Sequence, residues 1–274
     1  MHMTLHEFKL VVDSLPNTPR MPVIFVGHGS PMNGIENNKF THAWYKLGSS
    51  IPRPAAILSI SAHWLTEGTF VHAAQKPKTI HDFWGFPKAL YNMTYPCPGS
   101  PTFAEGVQRL VGVADVASDL DWGIDHGTWI VLARMYPDAD IPVFQLSLDI
   151  SRSAEAHYEL GRELAALRDK GVLIMGSGNI VHNLGRISFE QNAPILPWAE
   201  HFDTEARKLI IGGDHKALIH YEKLGHEASL AIPTPDHYWP LLYTLALHND
   251  GEDLAFPVEG IVNGSISMRA VKIG

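Results

Sequence analysis

The chain has 274 residues, of which 45% are hydrophobic and 18% charged, and its formal net charge is −8 with histidine counted as neutral. This composition is typical of a globular protein with a hydrophobic core and excludes a disordered chain. Because the Lys and Arg residues are scattered along a chain of net negative charge, we expect neither nucleic acid nor an anionic membrane as a partner.

Residues 1–21 are predicted to be an N-terminal extension in which residues 4–15 form a short amphipathic helix. A basic segment followed by an apolar segment is missing there, so no signal peptide is expected. No apolar stretch approaches the roughly 20 residues that span a bilayer. Cys97 is the single cysteine, which excludes an intrachain disulfide and a cysteine-rich zinc site. These features indicate a cytoplasmic protein.

Residues 22–274 are predicted to form one α/β domain. Four apolar runs bounded by turn residues have the pattern of strands buried on both faces; they are residues 22–27, 55–61, 142–148 and 172–178. Helical patterns and a candidate closing strand occupy much of the rest, with helices at 102–112, 154–170, 198–211 and 238–248 and the strand at 265–273. This alternation predicts a central, mostly parallel or mixed sheet flanked by helices.

The chain contains 16 histidines, and three of them follow predicted strands: His28 the first, His63 the second and His182 the fourth. In open α/β sheets, ligands bind beyond the carboxyl ends of the strands, so these imidazoles are expected to meet at one edge of the sheet. His237 lies in a proline-rich loop before the last predicted helix. Because imidazole is the commonest metal ligand, we predict that these four histidines surround one divalent metal ion.

Glycines accompany two of the strand ends. They lie at positions 27 and 29 around His28, and at 176 and 178 before His182. Since glycine has no Cβ, these positions are expected to let backbone and ligand approach each other closely.

Two further histidines are candidates for the site. His126, in the sequence GIDHGTW beside Asp125, has functional and structural interpretations that are equally open. His81 and Phe83 lie in the aromatic loop 80–91, which has the Gly and Pro content of a lid or pocket wall and is expected to bind substrate. Motifs of zincin proteases, α/β-hydrolases, P-loop proteins and dinucleotide-binding proteins are missing from the sequence.

Several segments together resemble the DOPA 4,5-extradiol dioxygenase family, a branch of the class III extradiol ring-cleavage dioxygenases related to the catalytic subunit of protocatechuate 4,5-dioxygenase. In chain order they are GHGSPM, SAHW, TIHDFWGFPKALY, DHGTW, YPDADIPVFQLSLD, GSGNIVHNL and PTPDHYWPLLY. The resemblance extends from about residue 22 to the C-terminus and therefore covers the whole predicted domain.

The resemblance implies a mononuclear metal site with assigned roles for five histidines. His28 and His63 match the first two ligands, and His237 matches the third ligand of the DOPA branch. His182 matches the acid/base histidine, which in this branch lies close enough to be a fourth ligand, and His126 matches a histidine that lines the substrate site. The wider superfamily has a carboxylate as third ligand, whereas here a histidine stands there with Asp236 beside it.

Three neutral imidazoles suit both Fe(II) and Zn²⁺. Because zinc cannot cycle electrons, we expect Fe(II) as the working metal, although purified protein can carry zinc. The implied reaction joins a DOPA-like catechol to O2 and gives a seco-DOPA or muconic-semialdehyde type of product. In it His182, with an expected pKa near neutrality, accepts the catechol proton, and His126 hydrogen-bonds the substrate or oxygen.

Two other functions remain open at this point. Proteins of one fold can differ in function, so the chain could be a metal-binding protein without turnover. Three histidines around a metal with an open position could also activate water in a zinc hydrolase.

Overall fold

The computed structural model describes residues 18–190 and 193–274, and the amphipathic helix predicted at residues 4–15 lies outside them. The strands are β1 (Val23–Gly27), β2 (Ala56–Thr66), β3 (Thr69–His72), β4 (Val116–Asp119), β5 (Val143–Asp149), β6 (Val172–Gly178), β7 (Leu254–Val258), β8 (Ile261–Val262), β9 (Ile266–Ser267) and β10 (Ala270–Ile273). The helices are α1 (Lys39–Ser50), α2 (Lys88–Tyr91), α3 (Pro101–Leu110), α4 (His126–Met135), α5 (Ala154–Glu163), α6 (Ala165–Arg168), α7 (Pro197–Ile211), α8 (His215–Ile219), α9 (His226–Ala231) and α10 (Trp239–Ala246).

Eight strands form one mixed sheet in the order β4-β3-β5-β2-β6-β1-β10-β7. The four central strands β5, β2, β6 and β1 are parallel. The flanking strands β3 and β10 run antiparallel to their central neighbours. Strands β8 and β9 pair separately as a small hairpin. The prediction of a single α/β domain with a mixed sheet flanked by helices is therefore confirmed.

The central strands are buried on both faces because helices cover each side of the sheet. In β1, Val23 and Phe25 belong to one hydrophobic cluster, and Ile24 and Val26 belong to the other. This alternation follows from the two-residue period of a strand. The first cluster includes apolar side chains of α5 and α10, and the second includes side chains of α1 and α4.

The predicted helices are present with shifted bounds. The helix predicted at 154–170 is divided into α5 and α6 on either side of Leu164. The predicted closing strand at 265–273 is divided into β9 and β10, which pair with different partners. Between the two strands, Arg269 is buried and pairs with Asp203 and Glu259.

The second predicted strand ends too early. The sequence places its end at residue 61, whereas β2 continues to Thr66 through a shift in its pairing with β5 between Ile60 and Leu65. His63 therefore lies inside an irregular part of a strand and not in the loop that follows it. Such irregularities change the direction of a side chain within a strand.

No helix in residues 18–190 and 193–274 is both long enough and apolar enough to cross a bilayer.

A buried histidine outside the predicted site makes the stability of the fold depend on pH. His157 on α5 is fully buried, its Nδ1 lies 2.9 Å from Tyr243 Oη, and its ring centroid lies 4.4 Å from that of Trp239. Its Nε2 has no hydrogen-bond partner among the described residues. Burial, which disfavours the charged ring, lowers the pKa of His157 to about 4.

We expect the apo-protein to lose stability as the pH falls from about 6.5 to 4, because the unfolded state binds the His157 proton there and the folded state does not. The contribution of His157 is up to about 3 kcal/mol of the free energy of unfolding. Urea unfolding of the wild type and His157→Gln in chelator, at pH 7.5 and 5.0, measures it. An equal loss of stability in both proteins would contradict this role.

Candidate metal centre

Three histidines from distant parts of the chain meet at the carboxyl edge of the parallel strands. His28 follows β1, His63 lies on β2, and His237 lies just before α10. One ring nitrogen from each lies within 4.8 Å of the others. The Nε2 atoms of His28 and His63 are 3.1 Å apart. The structure thus brings together three of the four histidines predicted to surround a metal ion.

The spacing of these nitrogens fits a shared ion. Two nitrogens that bind one ion at about 2.0–2.1 Å lie roughly 3.0–3.4 Å from each other, and the two Nε2 atoms of His28 and His63 are 3.1 Å apart. Burial and the neighbouring histidines hold the pKa of His28 and of His63 well below the ordinary value. Both rings are therefore neutral at pH 7 and carry a lone pair that a cation can use.

Hydrogen bonds decide which nitrogen of His28 carries that lone pair. The Ser177 hydroxyl donates its single proton to the Gly127 carbonyl at 2.6 Å. It must therefore accept at its 3.1 Å contact with His28 Nδ1. The proton of His28 is on Nδ1, and its Nε2 is free. Outer hydrogen bonds of this kind orient the histidine ligands of protein metal sites.

His237 is held in the same way by its neighbour in the sequence. Its Nδ1 donates to a carboxylate oxygen of Asp236. Although burial alone would raise the pKa of Asp236, the hydrogen bond from His237 holds it below the ordinary value. The carboxylate beside His237 thus orients the ring of a candidate ligand, and Nε2 is the ring nitrogen that remains available to an ion.

His182 lies beside the cluster in a different arrangement. Its ring is stacked on the ring of His237, with centroids 3.5 Å apart and planes 6° from parallel. It is not part of the group of three converging nitrogens. Burial and the proximity of His237 lower the pKa of His182 to about 3. The expected pKa near neutrality is therefore corrected, and the low pKa means that the His182 ring is neutral at pH 7.

His126 is the first residue of α4 and also reaches the cluster. Its ring centroid is 3.9 Å from that of His63 and 5.6 Å from that of His28. The backbone N–H and the Nδ1–H of His126 both donate to the Asp82 carboxylate, at 2.9 Å each. The sequence analysis therefore placed His126 in the correct neighbourhood, and its role in the reaction stays a prediction.

Asp125, which stands beside His126, has a structural environment. Its carboxylate caps α4 by accepting from Thr128 N at 3.1 Å, and it also accepts from Ser61 Oγ and Gln145 Nε2, both at 2.7 Å. Burial and the nearby Asp82 raise the pKa of Asp125. Its hydrogen bonds join the N-terminus of α4 to β2 and β5.

Within the aromatic loop, the Phe83 ring packs against His126. Its ring centroid lies 5.6 Å from that of His126. The His81 ring lies behind Phe83, with centroids 5.7 Å apart, and its Nε2 donates to the Met93 carbonyl at 2.9 Å. His81 is therefore outside the group of converging nitrogens, and its predicted contact with substrate stays a prediction.

Asp82 is the residue that sequence reasoning missed. It lies between His81 and Phe83, and the analysis of that loop considered only its histidine and aromatic residues. A useful signal was present, since Asp82 stands next to a histidine in the sequence, as Asp125 and Asp236 do.

The glycines at positions 27, 176 and 178 make room for protein backbone and not for a ligand, and Gly29 lies against the Met268 side chain, which corrects the expectation. A Cβ at Gly178 would lie 2.1 Å from the His237 carbonyl oxygen, and one at Gly27 would lie 2.6 Å from that of Ser267. A Cβ at Gly176 would lie 2.4 Å from the Pro240 carbonyl oxygen. Glycine at 178 therefore lets β6 press directly against the segment that carries His237.

Comparison with known proteins gives consistent matches. Residues 21–259 match the family model described as the catalytic LigB subunit of aromatic ring-opening dioxygenase. The chain is 49% identical over 270 residues to "4,5-DOPA dioxygenase extradiol" of Escherichia coli K12, covering 97% of this chain and 99% of that protein. It is 40% identical over 224 residues to a protein of the same name from Beta vulgaris, covering 79% and 83%.

A solved structure matches as well. The crystal structure of an uncharacterized protein from Escherichia coli K12 superimposes with a TM-score of 0.82 at 43% sequence identity. The match covers 93% of this chain and 100% of that chain.

We expect Gly178→Ala to weaken metal binding by at least tenfold, because the new methyl group must displace the backbone of His237. Gly112→Ala is the matched control, since a Cβ there meets only Glu163 Oε1 at 3.7 Å. Zinc titration of both apo-variants, with circular dichroism to check folding, measures the effect. Wild-type affinity in Gly178→Ala would show that the position of His237 does not matter for the ion.

Proposed function

The chain belongs to the family of the catalytic LigB subunit of aromatic ring-opening dioxygenases, and from that premise we propose that it cleaves a DOPA-like catechol with O2 beside the two hydroxyl groups. Both oxygen atoms enter the ring-opened product, which for DOPA is a seco-DOPA of the muconic-semialdehyde type. We assign this activity to residues 22–274. The observation that carries the proposal is the convergence of three histidine ring nitrogens within 4.8 Å.

We assign the metal site to His28, His63 and His237. Their Nε2 atoms supply nitrogen donors that suit Fe(II) and Zn²⁺ alike. When bound, Fe(II) supplies the electron transfer that O2 activation requires, which Zn²⁺ cannot do. We therefore propose Fe(II) as the working metal, and zinc as an ion that occupies the same nitrogens without supporting ring cleavage.

His182 is proposed as the group that accepts a catechol proton. Its low pKa, caused by burial and by His237, leaves the ring unprotonated at neutral pH. A general base must be unprotonated before it accepts a proton, and so weak a base would need an acidic donor, such as a catechol hydroxyl whose pKa is lowered by a bound cation. The stacking on His237, with centroids 3.5 Å apart, holds His182 beside the proposed metal ligands.

The aromatic loop is proposed to form the wall of the substrate site. Phe83 is buried against His126 and offers an aromatic surface next to the histidine cluster. Edge-to-face and offset-stacked contacts with a catechol ring are favourable for such a side chain. His126, whose Nδ1 proton is held by Asp82, keeps an Nε2 acceptor for a substrate hydroxyl.

The choice of DOPA as the first substrate to test comes from the relatives in Escherichia coli and Beta vulgaris that carry the name 4,5-DOPA dioxygenase extradiol. A hydrogen-bonding site discriminates strongly only where its buried polar groups require a partner. DOPA, dopamine, caffeate and protocatechuate differ in the substituent opposite the diol. Comparing their turnover therefore shows which substituent the substrate site recognises.

We expect the Fe(II)-loaded protein to consume one O2 per catechol and to form a yellow product, while the zinc-loaded protein does neither. Chelated protein is loaded anaerobically with each ion, and oxygen uptake and visible absorbance are then recorded with each catechol. Hydrolysis of ester substrates by the zinc form, without oxygen uptake by the iron form, would favour the zinc-hydrolase alternative. Binding of metal with neither activity would favour a non-catalytic role.

We expect His182→Ala and His63→Ala to fail in different ways. Loss of a general base lowers turnover by about 10²–10⁴-fold, so His182→Ala should keep its metal and lose turnover. His63→Ala should lose the metal itself, which elemental analysis of the gel-filtered protein reports. Full turnover in His182→Ala would remove that residue from the mechanism.

A further inference from the structure

We propose that Asp82 is a positioning residue that fixes the ring protons of both His63 and His126 on Nδ1. One carboxylate would then set the donor atom of a metal ligand and the acceptor atom of its neighbour in the substrate site. The part that concerns substrate rests on the function proposed above, whereas the part that concerns ring protons and metal affinity does not.

The Asp82 carboxylate is shared between the two rings. Its Oδ2 lies 2.9 Å from His126 Nδ1 and 3.4 Å from His63 Nδ1. Its Oδ1 accepts from the backbone N–H of His126 at 2.9 Å. The contact with His126 is a well-formed hydrogen bond, and the contact with His63 is a longer ion-pair contact. Both nitrogens nevertheless lie within 3.4 Å of the same oxygen atom.

This arrangement decides which nitrogen of each ring is protonated. A carboxylate oxygen is only an acceptor, so an unprotonated Nδ1 would direct its lone pair at a negative oxygen. A protonated Nδ1 directs its N–H at the same oxygen and is attracted to it. Both rings are therefore expected to carry the proton on Nδ1. The Nε2 of His63, which is 3.1 Å from His28 Nε2, is then left as a metal donor.

With Asp82 included, every histidine of the proposed metal site has a partner at Nδ1. His28 has Ser177, His237 has Asp236, and His63 has Asp82. Two of these partners are carboxylates. They contact the rings of the proposed ligands and are not themselves proposed as ligands. Carboxylates in this position raise the basicity of a ligating imidazole and fix its orientation.

The aromatic loop explains how Asp82 is held in place. On one side of it, His81 donates to the Met93 carbonyl at 2.9 Å. On the other side, Phe83 packs against His126, and the Tyr91 hydroxyl donates to the Phe83 carbonyl at 3.3 Å. Asp82 thus lies between two anchored residues. The contact with Met93 makes His81 an anchor of the loop.

A second metal ion is the main alternative for the same residues. One atom each from His63, Asp82 and His126 also lies within 4.8 Å of the others. In that case Asp82 would be a ligand, and the protein would bind two ions per chain. A second ion beside Asp82 would bind His63 through Nδ1 while Nε2 binds the first ion, so the His63 ring would have to lose both of its ring protons. We therefore expect one ion per chain.

Asp82→Asn tests the inference directly. When the Asn carbonyl oxygen accepts from the backbone N–H of His126, its NH₂ group faces both Nδ1 atoms, so the ring protons should move to Nε2. Asp214→Asn is the matched control, because Asp214 also accepts from a backbone N–H at a helix N-terminus, that of Ala217 at 3.0 Å. Asp82→Glu tests rescue by a carboxylate.

The measurements are long-range ¹H–¹⁵N NMR of the imidazole rings, zinc titration of the apo-protein, and zinc stoichiometry. We expect Nδ1–H in both rings of the wild type and Nε2–H in Asp82→Asn, with peaks assigned from His63→Gln and His126→Gln. Zinc affinity should fall about 10–100-fold in Asp82→Asn, recover in part in Asp82→Glu, and stay unchanged in Asp214→Asn.

Three results would overturn the inference. The first is a proton on Nε2 of His63 or His126 in the wild type. The second is a folded Asp82→Asn variant with unchanged zinc affinity and unchanged ring protons. The third is a stoichiometry of two zinc ions per wild-type chain that falls to one in the variant. The wild-type spectrum decides the matter even if Asp82→Asn does not fold. If the NMR and zinc results are as expected but no catechol is cleaved, the proposed function fails and the inference about Asp82 stands.

Discussion

The structure depends on one constraint, which is that imidazoles from two strand ends and one loop bring their ring nitrogens to a common point. A histidine ring has two nitrogens, and it presents the correct one only if the other is held by a partner. Ser177 and Asp236 hold the outer nitrogens of His28 and His237, and the protein supplies them from β6 and from the loop before α10. The rest of the fold brings these pairs together and keeps them there.

This constraint has an electrostatic cost. Burying imidazoles at the same edge of a sheet disfavours their charged forms, and the lowered pKa values of His28 and His63 are the result. The parallel strands beneath the site are fully buried, and their packing against helices on both faces offsets this cost. A divalent cation between neutral rings would relieve it further, which couples metal binding to the stability of the sheet edge.

Sequence reasoning succeeded where a feature depends on local pattern. The four apolar runs became central strands, and the histidines after them were expected to converge. It failed for features that are determined by tertiary contacts. Helix α4 was missed because nearly all of its residues are buried, so it has no amphipathic period. The irregular end of β2 depends on pairing with β5. Asp82 was missed because its partner His126 is 44 residues away in the chain.

The most direct test of the account is a crystal structure of the zinc-loaded protein with diffraction data collected at the zinc absorption edge. The account predicts one anomalous peak per chain, bonded at about 2.0–2.1 Å to the Nε2 atoms of His28, His63 and His237, with Asp82 and Asp236 on the outer side of the rings. A peak bonded to Nδ1 atoms, or one located between Asp82 and His126, would contradict it.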